Sequence, residues 1–182
     1  MKNNRGFTLI ELMVVVAIVS ILVGAMTYSI NSVSSTRAKK FASDLNAMIS
    51  QCRVDTMSGA PSPTYLKISQ KDNSTGDVYA ALYEDGTVKA EQKLGGSGIS
   101  CSFITDSIAA QSYSISGNNS TALYLAFDRA TGAFSKLTDV KSSDSALNVA
   151  SGNYCTSITI ASGGGSYTIT LVPKTGYHSV GR

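Results

Sequence analysis

The longest run of hydrophobic positions lies near the N-terminus. From Leu12 to Ile30 no residue is charged, and most are aliphatic. At about 1.5 Å per residue, a helix from Phe7 to Ile30 is long enough to cross a bilayer core of about 30 Å. This pattern predicts a transmembrane helix over residues 7–30.

The next segment has hydrophobic residues at three- and four-residue spacing, which is typical of a helix with one apolar face. These residues are Ala38, Phe41, Leu45, Met48, Ile49 and Cys52. Gly59 and Pro61 follow as stop signals. We therefore expect one long helix from Phe7 to Ser58, whose amphipathic part, residues 31–58, packs against protein rather than lipid.

The remainder of the chain alternates between apolar and polar residues, as strands do. The strand candidates are Thr64–Ser69, Val78–Tyr83, Thr87–Gln92, Ile99–Ile104, Thr121–Phe127, Ala133–Thr138, the stretch around Ile158 and Ile160, and Ser166–Val172. Turns are expected at Asp85-Gly86, Thr131-Gly132 and Ser162 to Gly165. The predicted class is α+β, with the helix packed on an antiparallel β-sheet head at residues 59–182.

Composition narrows the functions that the head can have. The chain has 182 residues, a formal net charge of +3, 12 acidic residues, one histidine and no tryptophan. A near-neutral charge does not favour nucleic-acid binding by bulk electrostatics. The glycine-rich stretches at Gly95–Gly98 and Gly163–Gly165 lack the Lys-Ser/Thr of a nucleotide loop, and no Gly-x-Ser-x-Gly elbow is present. We expect no catalytic group and no cofactor, so the protein is not predicted to be an enzyme.

The cysteines number three, so at least one is unpaired or pairs with another chain. None forms a Cys-x-x-Cys pair, and His178 is far from all of them in sequence, which disfavours a zinc site. His178 is predicted to be a surface histidine. Cys52 lies on the apolar face of the helix, where it could equally be a buried packing residue that forms no disulfide.

The residues before the apolar run are polar and basic and end in Gly6. A secretory signal peptide also begins this way, but it is cut after its apolar stretch, and this run is longer than such a stretch usually is. Glu11 is unusual too, because a carboxylate near the end of a lipid-crossing helix costs on the order of a few kcal/mol unless it is partnered or close to the headgroups. The N-terminus therefore calls for another explanation.

The run Gly6-Phe7-Thr8-Leu9-Ile10-Glu11, followed by an apolar helix, resembles the leader-peptidase signature of type IV prepilins. The resemblance implies removal of residues 1–6 by prepilin peptidase between Gly6 and Phe7, N-methylation of Phe7, and assembly with other pilin subunits at an inner-membrane platform. It also implies a single-pass cytoplasmic membrane protein with its N-terminus inside, which later joins an extracellular pilus or a periplasmic or cell-wall pseudopilus.

The resemblance explains why a carboxylate is present at Glu11. Cleavage creates an amine on Phe7, and an amine and a carboxylate on neighbouring subunits neutralise each other in a water-poor filament core. We therefore interpret Glu11 as an assembly-register residue. The topology rests on the leader motif, because Arg37, Lys39 and Lys40 balance the positive charges of the leader and the positive-inside rule gives a tie.

Three features refine or depart from the family pattern. No proline precedes Pro61, although many pilins carry one in the membrane helix. Major pilins often close a C-terminal loop with a cysteine pair, and Cys101 with Cys155 can take that part. The order of the strand at Leu123–Phe127, the turn at Asp128–Gly132 and the late strands is similar to minor pseudopilins of type II secretion and to minor pilins of fimbrial biogenesis.

Alternative functions remain open at this point. One is a minor pseudopilin of type II secretion, and another is a competence DNA-uptake pilus, in which Arg129 and Arg182 would touch nucleic acid. Outside the filament class, a monomeric membrane-anchored binding module would explain helix and head but leave Gly6 and Glu11 without a purpose. A secreted enzyme with a retained signal anchor would need a catalytic cluster in the head, and the sequence offers none.

Overall fold

The computed structural model of the chain describes residues 7–59, 63–72, 74–107, 112–115, 121–140 and 153–182, with backbone alone at 27–32 and 72. These ranges contain a helix α1 at Leu9–Met57 and nine strands. The strands are β1 Thr64–Asp72, β2 Asp77–Glu84, β3 Thr87–Gly95, β4 Ile99–Thr105, β5 Ser112–Ser114, β6 Leu123–Ala126, β7 Cys155–Ser162, β8 Gly165–Val172 and β9 Tyr177–Gly181.

Helix α1 is continuous over 49 residues, which corresponds to about 74 Å. It begins after Thr8, whose extended backbone and side chain cap the first turn. It ends at Met57 with Ser58 as its C-cap, and Gly59 follows with a φ of +107°, a conformation that glycine adopts without strain. The predicted single long helix and its glycine stop are confirmed.

The strands form two antiparallel sheets. The first has the order β3-β2-β1-β6, and the second has the order β5-β4-β7-β8-β9. The chain passes from one sheet to the other through the turn between Gly95 and Ile99, where Gly98 has a φ of +86°. The predicted α+β arrangement of a long helix on an antiparallel sheet head is confirmed, with two sheets in place of one.

The core lies between the second half of α1 and the inner faces of both sheets. Ala38, Phe41, Leu45, Ile49 and Cys52 are fully buried, as their spacing predicts. Met48, on the same predicted face, is partly buried and packs against this core. The strands contribute every second residue, as they do in a half-buried sheet. Their fully buried members include Leu66, Ile68, Ala80, Ile158, Ile160 and Ile169.

The predicted strand from Ala133 to Thr138 is wrong. Phe134 forms only an isolated bridge with Phe127. The amide of Ser135 donates to Ala126 of β6 beside this bridge. The amides of Phe134 and Leu137 instead donate to Pro173 and Asn153. Because the pairing with the end of β6 stops at this one bridge, the segment forms no strand, although its apolar alternation is that of a strand. The alternating pattern does not predict the short strand β5, whereas β9 is the last of the late strands that end at Gly181-Arg182.

The backbone conformations of the glycines confirm the predicted turns. Asp85 and Gly86 both have positive φ values, 51° and 73°, as a tight two-residue hairpin between β2 and β3 requires. Gly132 has a φ of +67° in the turn after β6. Gly165 ends the hairpin connection between β7 and β8.

Candidate assembly helix and its N-terminus

The first half of α1 projects from the head without a partner. Leu9–Met26 is the one helical segment in the described residues that is long and apolar enough to cross a membrane, and none of it is buried inside the chain. A core helix of a soluble protein would pass the same length test but would be buried. Leu9 and Ile21, for example, are 78% and 72% exposed. Contiguous apolar surface on this scale marks a protein or membrane contact.

Thr8 and Glu11 form a capping box at the start of this exposed helix. The Glu11 amide donates to the Thr8 hydroxyl at 3.3 Å, and the Thr8 amide donates to Oε2 of Glu11 at 3.5 Å. The Thr8 hydroxyl also donates to Oε2 at 3.4 Å. The box gives the Thr8 amide an acceptor and adds a second acceptor for the Glu11 amide, which also donates to the Thr8 carbonyl oxygen at 3.1 Å. The spacing Thr8-x-x-Glu11 signals such a box, so this role could have been predicted from the sequence.

Glu11 keeps acceptor capacity after capping. Both bonds use Oε2, and no hydrogen bond to Oε1 is recorded among the described residues. A carboxylate can accept about four hydrogen bonds, so a cation from another molecule can approach Oε1 without breaking the cap. The side chain is exposed, as such an approach requires.

Phe7 precedes the helix and is 85% exposed. Phe7 and Thr8 have no helical hydrogen-bonding pattern, and Thr8 is extended with a φ of −77° and a ψ of 150°. The residues just after the predicted scissile bond are thus outside the helix and accessible to an enzyme. Gly6 itself lies outside the described residues.

The predicted pair of Cys101 and Cys155 is not joined by a disulfide. All three cysteines are free and buried. On the ladder between β4 and β7, Cys101 lies opposite Ile160, while Cys155 lies opposite Thr105. Four strand positions separate the two levels by about 13 Å, and a disulfide needs Cα atoms within about 7 Å. Their register therefore overturns this pairing.

Burial keeps all three thiols protonated. Loss of solvent raises the pKa of Cys52 to about 12 and that of Cys101 to about 12. Burial also raises the pKa of Cys155. A thiol with a raised pKa is a poor nucleophile, because the thiolate is the reactive species. The cysteines act as small apolar residues of the core.

His178 is half-buried, where a surface position was predicted. Its Nε2 lies 2.8 Å from the hydroxyl of Ser50 on α1, and its Nδ1 lies 3.1 Å from the carbonyl oxygen of Gly176. The ring also meets Phe134 edge-on. His178 thus ties β9 to the helix, a contact between residues 128 positions apart that sequence spacing does not indicate.

No cluster of three or more histidine, cysteine or acidic residues that could hold a metal occurs in the part of the chain that the structure describes.

Residues 1–27 match the family model described as the prokaryotic N-terminal methylation motif. The matched segment contains Gly6, Phe7, Thr8 and Glu11 and the whole exposed apolar segment Leu9–Met26. It supports a protein of the type IV pilin or pseudopilin type and confirms the resemblance predicted from the N-terminus. No solved structure matches the chain.

The match and the exposed helix together support one class of protein. They support a pilin-like substrate of prepilin peptidase with an N-terminal membrane anchor. The fold beyond residue 27 agrees with this class, since the helix continues into an α+β head of pilin-like arrangement.

Proposed function

We propose that the chain is a structural subunit of a type IV pilus or a related filament. In this proposal, prepilin peptidase removes residues 1–6 and methylates the new N-terminus at Phe7. Residues 7–30 hold the subunit in the cytoplasmic membrane, with the N-terminus inside and the head, residues 59–182, outside. The same helix later leaves the membrane and packs against other subunits at the assembly platform.

The observation that carries this proposal is a contrast in burial between the head and the first half of α1. The head buries its own apolar residues, while Leu9–Met26 buries none. Each large aliphatic side chain moved from water to an apolar environment contributes about 1.5–3 kcal/mol. A segment of this length cannot stay in water, so it must contact lipid or other subunits. A filament subunit uses both environments in turn.

Glu11 supports the choice of a filament over a monomeric anchor. Near the end of a lipid-embedded helix its carboxylate is costly without a partner. The amine created at Phe7 by cleavage supplies a partner of opposite charge, and the open Oε1 atom can accept it while the capping box is kept. Pairing between neighbouring subunits would set the axial register of the filament.

The test compares three variants in the native host. Gly6 replaced by a bulky residue should block processing. Glu11→Val should leave processing intact and block incorporation. Glu11→Gln keeps an oxygen for the capping box but removes the charge, so it should also be processed and excluded. Intact-mass spectrometry reports the N-terminus, and electron microscopy of sheared or overexpressed filaments reports incorporation.

Each outcome separates the candidate functions. A wild-type mass that begins at N-methylated Phe7, with filaments lost in both Glu11 variants, supports the proposal. Normal filaments from Glu11→Gln cells would contradict the charge-pairing role. A processed chain that never leaves the monomeric state would favour the anchored binding module. Filaments on the cell surface point to a pilus, whereas a secretion defect without surface filaments points to a pseudopilus.

A further inference from the structure

A basic groove of about 460 Å³ lies where α1 enters the head. Arg37 and Lys40 form its helical side, three residues apart and hence on the same face of α1. The turns before β2 and before β4 form the opposite side. The polar side chains that line the groove are Arg37, Lys40, Thr75, Asp77, Lys93 and Ser97.

The groove has an excess of positive charge. Asp77 is the one carboxylate among the lining residues, and it accepts a hydrogen bond from Nζ of Lys93 at 2.5 Å. No ion pair is recorded for Arg37 or Lys40 with any residue that the structure describes. Both side chains are exposed. Two cations therefore face the groove without an internal counter-charge.

The position of the groove along α1 places it near a membrane surface. Arg37 follows Ile30, the last residue of the predicted membrane segment, by seven residues, or about 10 Å of helix. The polar region of one leaflet extends about 5–8 Å beyond the hydrocarbon. Long basic side chains can span the remaining distance while their stems pack on the protein.

The head presents small turns at this same end. The hairpin between β7 and β8 contacts α1 just before Arg37, where the hydroxyl of Ser162 donates to the carbonyl oxygen of Ser34 at 3.1 Å. Gly95 lies against the ring of Phe41, at a distance where a Cβ atom would come within 2.7 Å of the ring. These close contacts hold this end of the head against α1 next to Arg37.

The charge is also in an unexpected place for topology. Basic residues next to a membrane segment favour the cytoplasmic side, yet here they directly follow the segment on the side of the head. Basic residues at this position work against an orientation with the head outside. A function of these residues on the outer side of the membrane would account for their position. A lysine or arginine close to an anionic lipid surface is attracted to it by about 1 kcal/mol.

We propose that this groove binds the phosphate of an anionic glycerophospholipid headgroup while α1 spans the membrane, with Arg37 and Lys40 as the cationic contacts. The bound lipid holds the head against the bilayer before the subunit is withdrawn into a filament. This inference rests on the membrane insertion proposed above.

The experiment uses the full chain in nanodiscs of phosphatidylcholine with or without phosphatidylglycerol. The sequence contains no tryptophan, so one introduced by Gly163→Trp is a unique probe. Gly163 lies outside the groove, and a Cβ there meets nothing within 4 Å. Quenching by a lipid with a nitroxide on its headgroup reports how close the head lies to the surface.

We expect stronger quenching in discs with phosphatidylglycerol and weaker quenching at high salt, which screens the attraction. The double variant Arg37→Gln, Lys40→Gln should lower the ratio of docked to undocked heads by about 30-fold, since each basic residue near an anionic surface contributes about a factor of five. The control Lys136→Gln, Lys174→Gln removes the same charge from exposed sites away from the groove and should change little.

The outcomes separate this inference from the proposed function. A chain that does not enter the discs overturns membrane insertion and lipid binding together. An inserted chain with equal quenching in both lipids, or equal losses in both double variants, overturns lipid binding alone. If Arg37→Gln, Lys40→Gln changes cross-linking between subunits but not quenching, the groove instead takes a carboxylate of a neighbouring subunit.

Discussion

The two halves of α1 are parts of one unbroken helix, but they meet different surroundings. In the second half, residues such as Phe41 and Leu45 are fully buried by strands of the same chain. In the first half, equally apolar residues such as Leu22 and Val23 are 54% and 58% exposed. Helical structure alone therefore does not decide the role of a segment. The role of the segment depends on what its apolar side chains contact.

Matched leucine substitutions should show this difference most strongly. Leu45→Ala removes a fully buried side chain and should lower the free energy of unfolding of the head by about 2–5 kcal/mol. Leu22→Ala, in the exposed half, should change it by less than about 0.5 kcal/mol. Urea titration of both variants in detergent micelles, followed by near-UV circular dichroism of the tyrosines, measures the two values.

The comparison would fail if both variants destabilised the head equally, because the first half would then contribute to its core. Leu22→Ala should instead reduce incorporation into filaments, as its side chain is available to neighbouring subunits in the proposed assembly.

The second prediction concerns the stability of the head at alkaline pH. Ionisation of the thiols affects the head alone, because no cysteine lies in the first half of α1. Burial raises the pKa of each thiol in the folded chain above its ordinary value. The unfolded chain therefore releases these protons first as the pH rises. Stability should be unaffected by the thiols below about pH 9 and then fall by up to about 1.4 kcal/mol per pH unit for each thiol.

Comparison of slopes isolates the contribution of one thiol. Cys52→Ala should show a shallower loss of stability between pH 9 and 10.5 than the wild-type chain. Ile49→Val perturbs the same buried face without removing a titrating group, so it should keep the wild-type slope. Identical slopes for all three chains would mean that Cys52 is not protected from ionisation by the fold.

Thiol counting provides a separate check on the cysteines. Without reductant, the native chain should resist alkylation at pH 8, and the urea-unfolded chain should take up three alkyl groups, as follows from three free buried thiols. Uptake of a single group after unfolding would instead show that two of the cysteines form a disulfide.

The smallest effect is expected at the start of the first half. Thr8→Ala removes the hydroxyl that accepts from the Glu11 amide, at a cost of about 1 kcal/mol. Hydrogen exchange of the first helical turn in micelles should accelerate about five-fold, with the head unchanged. Thr8→Ser keeps the hydroxyl and should exchange like the wild-type chain. If both variants exchange alike, the cap does not stabilise this turn.

Much of the fold could be predicted because its signals are local. The spacing of Ala38, Phe41, Leu45, Ile49 and Cys52 identifies the buried face of α1, since helix geometry fixes which residues share a face. The turn at Asp85-Gly86 identifies a hairpin because few residue pairs tolerate positive φ. The N-terminal motif is likewise a continuous stretch, and the match over residues 1–27 confirms it.

The incorrect predictions involve partners distant in sequence. Ala133–Thr138 alternates like a strand, but its pairing with the end of β6 stops at one bridge, and the amides of Phe134 and Leu137 bond to Pro173 and Asn153. Cys101 and Cys155 both lie on paired strands, yet the register of that pair separates them. His178 gains Ser50 as a partner only when β9 is placed beside α1. Alternation and spacing carry no information about register or about which strands become neighbours.

The sequence by itself determined the apolar first half of α1, the amphipathic second half, most strands and the N-terminal motif, because each depends on residues close together along the chain. The tertiary structure alone decided the division into two sheets, the separation of the cysteines and the basic groove at Arg37 and Lys40. These depend on long-range packing, since side chains from α1 and from the turns before β2 and β4 are distant in sequence and line one groove only in the folded chain.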